Sequence, residues 1–387
     1  MPDSDWIADQ RRALHRIPEV GLDLPLTTEH CERTLRGMGL EPRRAGGGLL
    51  VELGGAGPLF AWRADMDALP VQEETGLPFA SAFPGRMHAC GHDAHMATAL
   101  GIARHYTSGA VPPCRLRLIF QPGEEGWNGA QGMIAAGALD GVAAIAGMHV
   151  GSLFPELPRG CFGTRKGTVM ASATFFELAF QGRGSHGAFP EQGADALLAA
   201  CRLVAGLQTV RYGAASPVHP TVISVGSIHA GSAANVLPES AVVAGTLRTT
   251  TREDLAAMLE HLDRQARAAA LAHGVEVVLK QELRAPITAN SDPALPDLLA
   301  AAVRAAHGPD SFQWLPEPTL TGEDFGAYLE QVPGIFFFLG TRPDGNRAPH
   351  HHPRFDVADG ELHRTIPVLD ALLRSWAGAR GSDPRLP

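Results

Sequence analysis

Between residues 87 and 95 the sequence reads Met87-His88-Ala89-Cys90-Gly91-His92-Asp93-Ala94-His95, which places thiol, imidazole and carboxylate groups within nine positions. The apolar residues 96–100 follow directly and predict a buried helix. Cys90 and His92 therefore lie in the loop before a helix N-terminus, where the helix dipole should lower the pKa of the thiol. A thiolate beside an imidazole is a donor pair that suits zinc and related metals. The segment predicts a metal site at the start of a buried helix.

The composition is that of a folded protein without affinity for polyanions. At 387 residues the chain is longer than one ordinary hydrophobic core requires, which favours two domains. Hydrophobic residues make up 45% and charged residues 19%, so a disordered chain is excluded. The net charge is -9 and no block of Lys or Arg occurs, which argues against nucleic acid or an anionic membrane as a partner.

The first residues and the cysteines predict a cytoplasmic enzyme. The N-terminal residues are polar and acidic, without the basic and apolar regions of a signal peptide. No apolar run is long enough for a membrane span. The five cysteines are scattered and odd in number, so they do not suggest a disulfide framework. We therefore expect a reduced, cytoplasmic location.

Carboxylates follow two buried strands of the first half of the chain. Asp65 comes shortly after a strand at residues 59–62, and Glu124 and Glu125 follow a strand at residues 115–120. In α/β proteins the carboxyl ends of strands are where ligands bind. These carboxylates are therefore candidates for a functional site.

Strands and helices continue to alternate beyond this point. A helix is expected at residues 134–139, and His149 lies near the end of a buried strand at residues 143–150. The alternation predicts an α/β domain whose mainly parallel sheet is covered on both faces.

The pattern changes near residue 174. Strands and helices then follow in the order βαββαβ over roughly a hundred residues, which is the ferredoxin-like α+β pattern. The α/β pattern resumes after residue 286. We expect a catalytic domain at residues 1–173 and 286–387, with an inserted domain at residues 174–285.

Candidate ligands from separate parts of the chain can meet at one edge of one sheet: Cys90, His92, Glu124, Glu125 and His149. Adjacent glutamates suit metal-assisted hydrolysis because one can bind metal while the other accepts a proton from water. The late cluster His350-His351-His352 could close the same site.

Motifs along nearly the whole chain resemble the amidohydrolase branch of the aminoacylase/carboxypeptidase metallohydrolases, which contains hippurate hydrolases, N-acyl-amino-acid amidohydrolases and plant indoleacetyl-amino-acid hydrolases. In the first half the matching stretches are His15-Arg16-Ile17-Pro18-Glu19, Arg63-Ala64-Asp65-Met66-Asp67-Ala68-Leu69-Pro70, Met87-His88-Ala89-Cys90-Gly91-His92-Asp93 and Phe120-Gln121-Pro122-Gly123-Glu124-Glu125. In the second half they are Gly184-Ser185-His186, Asn235-Val236-Leu237-Pro238, Gly245-Thr246-Leu247-Arg248, Glu323-Asp324-Phe325 and His351-His352-Pro353.

The resemblance implies a site for two divalent metal ions, Zn or Mn with Co or Ni as further options, whose ligands are Cys90, His92, Glu125, His149 and His351. Glu124 is implied as the general base, and Asp65 as a residue that orients a ligand. His351 is preferred over its neighbours because the family places the ligand two residues before the proline. The implied reaction is hydrolysis of the amide of an N-acyl amino acid of the N-acetyl, N-benzoyl or indoleacetyl type.

The resemblance also gives the inserted domain a role as lid and as the interface of a homodimer. His186 is implied to stabilise the tetrahedral oxyanion, and Asn235 and Arg248 to hold the carboxylate of the small-molecule substrate. An Arg suits a carboxylate because it offers a bidentate fork of N–H donors.

Three departures from the family pattern leave every implied ligand and the base in place. Gly123 stands where the family more often has Ala, and Gly187 follows His186 where Ala is common. Leu24 and Pro25 occupy a segment that is often acidic in relatives.

Three other functions stay open at this level. A dipeptidase or carboxypeptidase of the same superfamily would use a related site, although such peptidases have Asp where Cys90 stands. A cysteine hydrolase could use Cys90 with His92 or His95. A binding protein could keep the fold without the chemistry, but it would have no use for Glu124 as an unligated base.

Overall fold

The strand Leu59–Asp65 lies inside the larger sheet because all seven of its residues are buried, as expected for a strand covered on both faces. It pairs in parallel with Arg115–Gln121 on one side and with Val142–Gly151 on the other. Gly334–Gly340 extends the parallel part beside Val142–Gly151. The carboxyl ends of these strands therefore lie at one edge of the sheet.

The computed structural model describes residues 2–54, 56–151 and 153–381, and their contacts form two compact units. The larger unit takes in the described residues of Met1–Val169, Ala289–Thr319 and Asp324–Pro387, and the smaller unit consists of Met170–Thr288 and Leu320–Glu323. No helix within the described ranges is both long and apolar enough to cross a membrane.

The larger unit is a mixed α/β fold around its sheet. Among the described residues the order of strands is Arg43–Ala45, Gly48–Leu53, Arg115–Gln121, Leu59–Asp65, Val142–Gly151, Gly334–Gly340, Phe162–Thr164 and Phe312–Trp314. Between the described strands of this sheet, antiparallel pairs occur only towards its two margins. The helices of the unit are Pro2–His15, Pro25–Gly37, His92–Thr107, Gly129–Ala135, Leu295–His307, Gly326–Leu329 and Thr365–Gly381. Their apolar faces and the sheet share one core, which includes Trp62 and Phe337.

The smaller unit has a separate core on one face of an antiparallel sheet. The strand order is Thr221–Ala230, Ser240–Thr249, Ala173–Gln181 and Glu276–Ala285. Buried residues alternate with more exposed ones along Ser240–Thr249, so one face packs inwards. The helices are Ala196–Gly206, Gln208–Ala214 and Arg252–His273. Two further short strands, Ser185–His186 and Val236–Leu237, pair in an antiparallel ribbon. The short strands Gly167–Met170 and Thr288–Asn290 pair with each other, and most of their residues belong to the larger unit.

The mixed α/β character and the mainly parallel centre of the large sheet agree with the sequence-based expectation. The prediction of a helix at residues 134–139 is wrong. The structure has a helix at Gly129–Ala135 instead. Gly137 and Gly141 adopt positive φ angles of 84° and 71°, which an α-helix does not accommodate. The apolar residues 136–139 therefore form turns after the helix.

Candidate metal centre

Asp67 holds the two adjacent glutamates in place. Its carboxylate oxygens accept hydrogen bonds from the backbone N–H groups of Glu124, at 2.9 Å, and Glu125, at 3.0 Å. Asp67 follows the strand Leu59–Asp65, and the glutamates follow its parallel neighbour, so both loops meet at the same sheet edge. Asp67 is not among the site residues predicted from the sequence. Its role could have been predicted from its position two residues after Asp65 in the same motif.

His92 begins the helix that the metal-site segment predicts. The residue before it, Gly91, has φ of 91°, and a Cβ there would lie 2.7 Å from Val150 Cγ2, so only glycine fits. His92 Nδ1 donates a hydrogen bond to the backbone oxygen of Asp67 at 2.7 Å. Nε2 is therefore the nitrogen that a cation would bind when the ring is neutral, and it is buried without a hydrogen-bond partner.

The ring of His149 is also oriented by a hydrogen bond from Nδ1 to a backbone oxygen. Its Nδ1 donates to the backbone oxygen of Val150 at 2.7 Å, which leaves Nε2 as the acceptor atom. That Nε2 atom lies 3.5 Å from the sulfur of Cys90. Both histidines thus present the nitrogen that a metal ion would bind, while the other nitrogen is fixed by a backbone carbonyl.

The five predicted ligands fall into overlapping groups whose donor atoms lie within 4.8 Å of one another. The groups are Cys90 with His92 and His149, Cys90 with Glu125 and His351, and His92 with Glu124 and Glu125. Within them Glu125 Oε1 lies 3.2 Å from His351 Nε2, and His92 Nε2 lies 3.9 Å from both Glu124 Oε2 and Glu125 Oε1. The structure therefore brings these residues together at one position.

The carboxylates determine the protonation of this cluster. Burial alone would lower the pKa of His92, but Asp65, Asp67 and Glu125 outweigh it and raise that pKa to about 10. Burial, followed by the positive charges of His95 and His350, lowers the pKa of His149 well below its usual value. The carboxylates thus favour a second proton on His92, which a cation bound at its Nε2 would replace.

The expected lowering of the Cys90 thiol pKa is wrong for the protein without a cation. Burial, followed by the charges of Glu125 and Glu124, raises the pKa of Cys90 well above its ordinary value. The helix N-terminus beside it does not offset these two effects. Cys90 is therefore a thiol in this state, and binding a cation through its sulfur would release a proton.

Asp65 lies in a buried chain of polar contacts behind the cluster. Its carboxylate accepts from Arg63 Nη1 at 2.5 Å and from His95 Nδ1 at 2.5 Å, and it is 3.7 Å from His92 Nε2. His95 Nε2 in turn accepts from the backbone N–H of Val150 at 3.0 Å. Asp65 thus reaches the neighbour of His149 through His95, while its contact with His92 is longer than a hydrogen bond.

Asp324 closes the same chain of contacts from a distant part of the sequence. It accepts hydrogen bonds from Arg63 Nη2, from Gln121 Nε2 and from the N–H of Ala130. Every member is buried, so the network fixes the strand ends that carry the candidate ligands.

His350 is a second histidine of the late cluster that reaches the site. Its Nδ1 lies 3.6 Å from Cys90 Sγ, and its ring packs against His149 and Phe355 with centroid distances of 5.1 and 4.5 Å. The side chain of His351 is 52% exposed, and its φ of 66° lies in the left-handed region. Three consecutive histidines carry no periodic signal that could have separated these two positions.

The three predicted residues of the inserted domain all lie in the smaller unit. His186 and Asn235 come together on the short ribbon, where the Gly187 N–H donates to the Asn235 backbone oxygen at 2.7 Å. Both side chains are exposed. Arg248 is half-buried on the strand Ser240–Thr249, and its Nη1 donates to the Leu320 backbone oxygen at 3.0 Å. Burial lowers the pKa of Arg248 from its ordinary value.

Comparison with known proteins identifies the family. The model of "Peptidase family M20/M25/M40" matches residues 61–375. The chain belongs to this family. An N-acetylcysteine deacetylase of Bacillus subtilis is 36% identical over 92% of this chain and 93% of the relative. An N-acetyldiaminopimelate deacetylase of Streptococcus sanguinis is 37% identical over 94% of this chain and 96% of the relative. A crystal structure of a Bacillus subtilis protein, described as a dinuclear metal-binding peptidase of the M20 family, has a TM-score of 0.83 and 32% identity over 97% and 99% of the two chains.

As a member of the M20 family, the chain is a hydrolase of amide bonds. The donor atoms of the buried cluster fit divalent metal ions. The buried Nε2 of His92 has no hydrogen-bond partner, and it lies among the donor atoms of Cys90, Glu124 and Glu125. Thiol, imidazole and carboxylate together form a donor set for first-row divalent metals. The residues present are therefore compatible with the M20 type of metal site.

Proposed function

We propose that the chain is a metal-dependent amidohydrolase that cleaves N-acyl amino acids, of the N-acetyl, N-benzoyl or indoleacetyl type, into a carboxylic acid and a free amino acid. The observation that carries this proposal is the pair Glu124 and Glu125, held by Asp67 beside Cys90 and His92. The names of the M20 relatives, deacetylases of N-acetylcysteine and N-acetyldiaminopimelate, support the substrate class.

Cys90, His92, Glu125, His149 and His351 would hold two divalent metal ions, zinc or manganese with cobalt or nickel as further options. When bound, such ions polarise the substrate carbonyl and make water a stronger acid. Asp65 would support this set through His95, which fixes the backbone beside His149.

Glu124 is the general base of the proposed reaction. Its backbone is fixed by Asp67, and its Oε2 lies 3.9 Å from His92 Nε2, at the edge of the donor cluster. Glu124 takes a proton from the attacking water as the C–O bond forms at the carbonyl carbon. It then gives this proton to the nitrogen as the C–N bond breaks, so the amino acid leaves as a neutral amine.

We assign the smaller unit the role of a ferredoxin-like lid that supplies His186, Asn235 and Arg248. The helices between its four strands and the strand order support the ferredoxin-like description. His186 Nδ1 accepts from the Ala188 N–H at 3.1 Å, so the neutral ring carries its proton on Nε2 and can donate to an oxyanion. Asn235 and Arg248 would bind the substrate carboxylate.

The smaller unit would also form the interface of a homodimer. The strand Thr221–Ala230 is at the edge of its sheet, and it carries exposed apolar side chains, Val222 and Ile228. A cytoplasmic location is supported by the cysteines, all five of which are free thiols.

The test is an assay of purified protein on N-acetyl, N-benzoyl and indoleacetyl amino acids, with Gly-Leu as a peptide for comparison. Activity should disappear with EDTA and return with added Mn or Zn. Activity that persists in EDTA but is lost on alkylation of Cys90 would indicate a cysteine hydrolase, although the raised pKa of its thiol argues against a thiolate nucleophile. Cleavage of Gly-Leu alone would indicate a dipeptidase.

A further inference from the structure

Two large apolar side chains are exposed beside the turn that carries Glu124 and Glu125. Leu22 is 45% exposed and Trp127 is 55% exposed. Trp127 follows Glu125 by only two residues. A tryptophan that served only to anchor this loop would be expected to lie buried, because burial of its ring is what stabilises such a loop.

Leu22 and Trp127 meet over two glycines. A Cβ on Gly123 would lie 2.5 Å from Leu22 Cδ2 and 3.0 Å from Trp127 Cβ. A Cβ on Gly21 would lie 3.4 Å from Trp127 Cε2. The two side chains therefore form one continuous apolar surface, defined here as the acyl wall. An alanine at position 123 would collide with Leu22 in its present position.

Hydrogen bonds tie both halves of the acyl wall to the glutamate turn. The Ala68 N–H donates to the Glu19 backbone oxygen at 2.7 Å, and Val20 forms a β-bridge with Ala68. The segment before Leu22 therefore lies against Ala68, which follows Asp67 in the sequence. Asp67 in turn holds Glu124 and Glu125. On the other side, the Gly129 N–H donates to the Gly123 oxygen at 3.1 Å and closes the loop that contains Trp127.

We propose that Leu22 and Trp127 bind the acyl group of the substrate and select large apolar acyl groups over acetyl. The inference rests on the proposed function, which assigns the amino-acid carboxylate to Asn235 and Arg248 and leaves the acyl half without a partner. An indole face suits an aromatic acyl group, such as benzoyl, through stacking and burial of apolar area. An acetyl group has too little surface to cover the same wall.

The experiment compares kcat/KM for N-benzoyl and N-acetyl derivatives of one amino acid in the metal-loaded wild type and variants. In Trp127→Ala and Leu22→Ala the benzoyl-to-acetyl ratio should fall about tenfold, since apolar contacts of this size discriminate by roughly that factor. Trp127→Phe should restore most of the ratio because it keeps an aromatic face. Trp314→Ala is the matched control, since Trp314 is a tryptophan of the same unit that is 42% exposed and outside the wall.

The outcomes separate the two proposals. If the wild type cleaves no N-acyl amino acid, the proposed function fails and the acyl wall with it. If the wild type cleaves both substrates and the ratio is the same in Trp127→Ala, Leu22→Ala and Trp314→Ala, only the acyl wall is overturned. Inhibition by benzoate gives a second readout, because its inhibition constant should rise in Trp127→Ala and stay unchanged in Trp314→Ala.

Discussion

The candidate residues of the two units differ in how firmly the chain itself holds them. In the larger unit Cys90, His92 and His149 are buried, and backbone carbonyls or carboxylates fix their surroundings. In the smaller unit His186 and Asn235 are exposed on a ribbon of two-residue strands. The buried cluster is organised before any ligand arrives, whereas the exposed pair has few contacts that define its orientation.

This difference predicts which properties each unit controls. A preorganised, buried cluster should determine metal affinity and the chemical step, because its geometry costs no reorganisation. Exposed donors on a short ribbon should act mainly on substrate binding, where the substrate supplies the missing contacts. Substitutions in the two units should therefore affect different kinetic constants.

Glu124→Gln should give the largest effect. Loss of a general base lowers turnover by about 10²- to 10⁴-fold. The metal content should stay near that of the wild type, because Glu124 is proposed to act as a base and not as a ligand. Glu125→Gln is the matched comparison and should lose metal as well as turnover. Metal analysis and kcat of both variants check this, and a Glu124→Gln variant with most of its activity would rule out the base assignment.

Asp67→Asn should have the next largest effect. The amide would turn an NH₂ group towards one of the two N–H donors of Glu124 and Glu125, so one hydrogen bond becomes a repulsive contact. Loss of such a supporting contact lowers metal affinity or activity by about 10- to 100-fold. Competition with a chelator measures the affinity, and Asp140→Asn, an exposed carboxylate of the same unit, is the control. Unchanged affinity and kcat would show that Asp67 is dispensable.

Arg248→Ala tests the smaller unit. Among the described residues Arg248 forms no ion pair, and only Nη1 is engaged, with the Leu320 oxygen, so other N–H groups can bind a carboxylate. KM for an N-acyl amino acid should rise about tenfold, while KM for its C-terminal amide should change much less. Arg202→Ala, on the exposed face of the helix Ala196–Gly206, is the control. Equal changes for the acid and the amide would contradict the assignment.

The sequence predicts the residues of the buried cluster better than the residues that hold them in position. The motifs around Cys90 and Glu125 give the candidate ligands because their residue types are themselves the signal. The roles of Asp67 and Asp324 depend on hydrogen bonds to backbone groups far along the chain, which no local pattern encodes. Likewise His350 and His351 are identical in residue type, and their different contacts and exposure appear only in the structure. The helix Gly129–Ala135 is followed by Gly137, whose positive φ angle only the structure reveals.

The smallest predicted effect concerns Glu73, which contacts His15, whose Nδ1 lies 2.8 Å from the carboxylate of Asp93, the residue after His92. Burial would raise its pKa, but hydrogen bonds from His15, Thr75 and the Ser81 N–H lower it to about 2. Because the folded-state pKa lies below the unfolded value of about 4.3, the ionised group stabilises the fold above that pH, and this contribution is lost as the pH falls towards about 2. Glu73→Gln should lower Tm by about 2 °C near pH 6, with the difference shrinking below about pH 4. Calorimetry across this range checks it, with the exposed Glu29→Gln as the control. A Tm difference that stays constant with pH would mean that Glu73 contributes by packing and not through its charge.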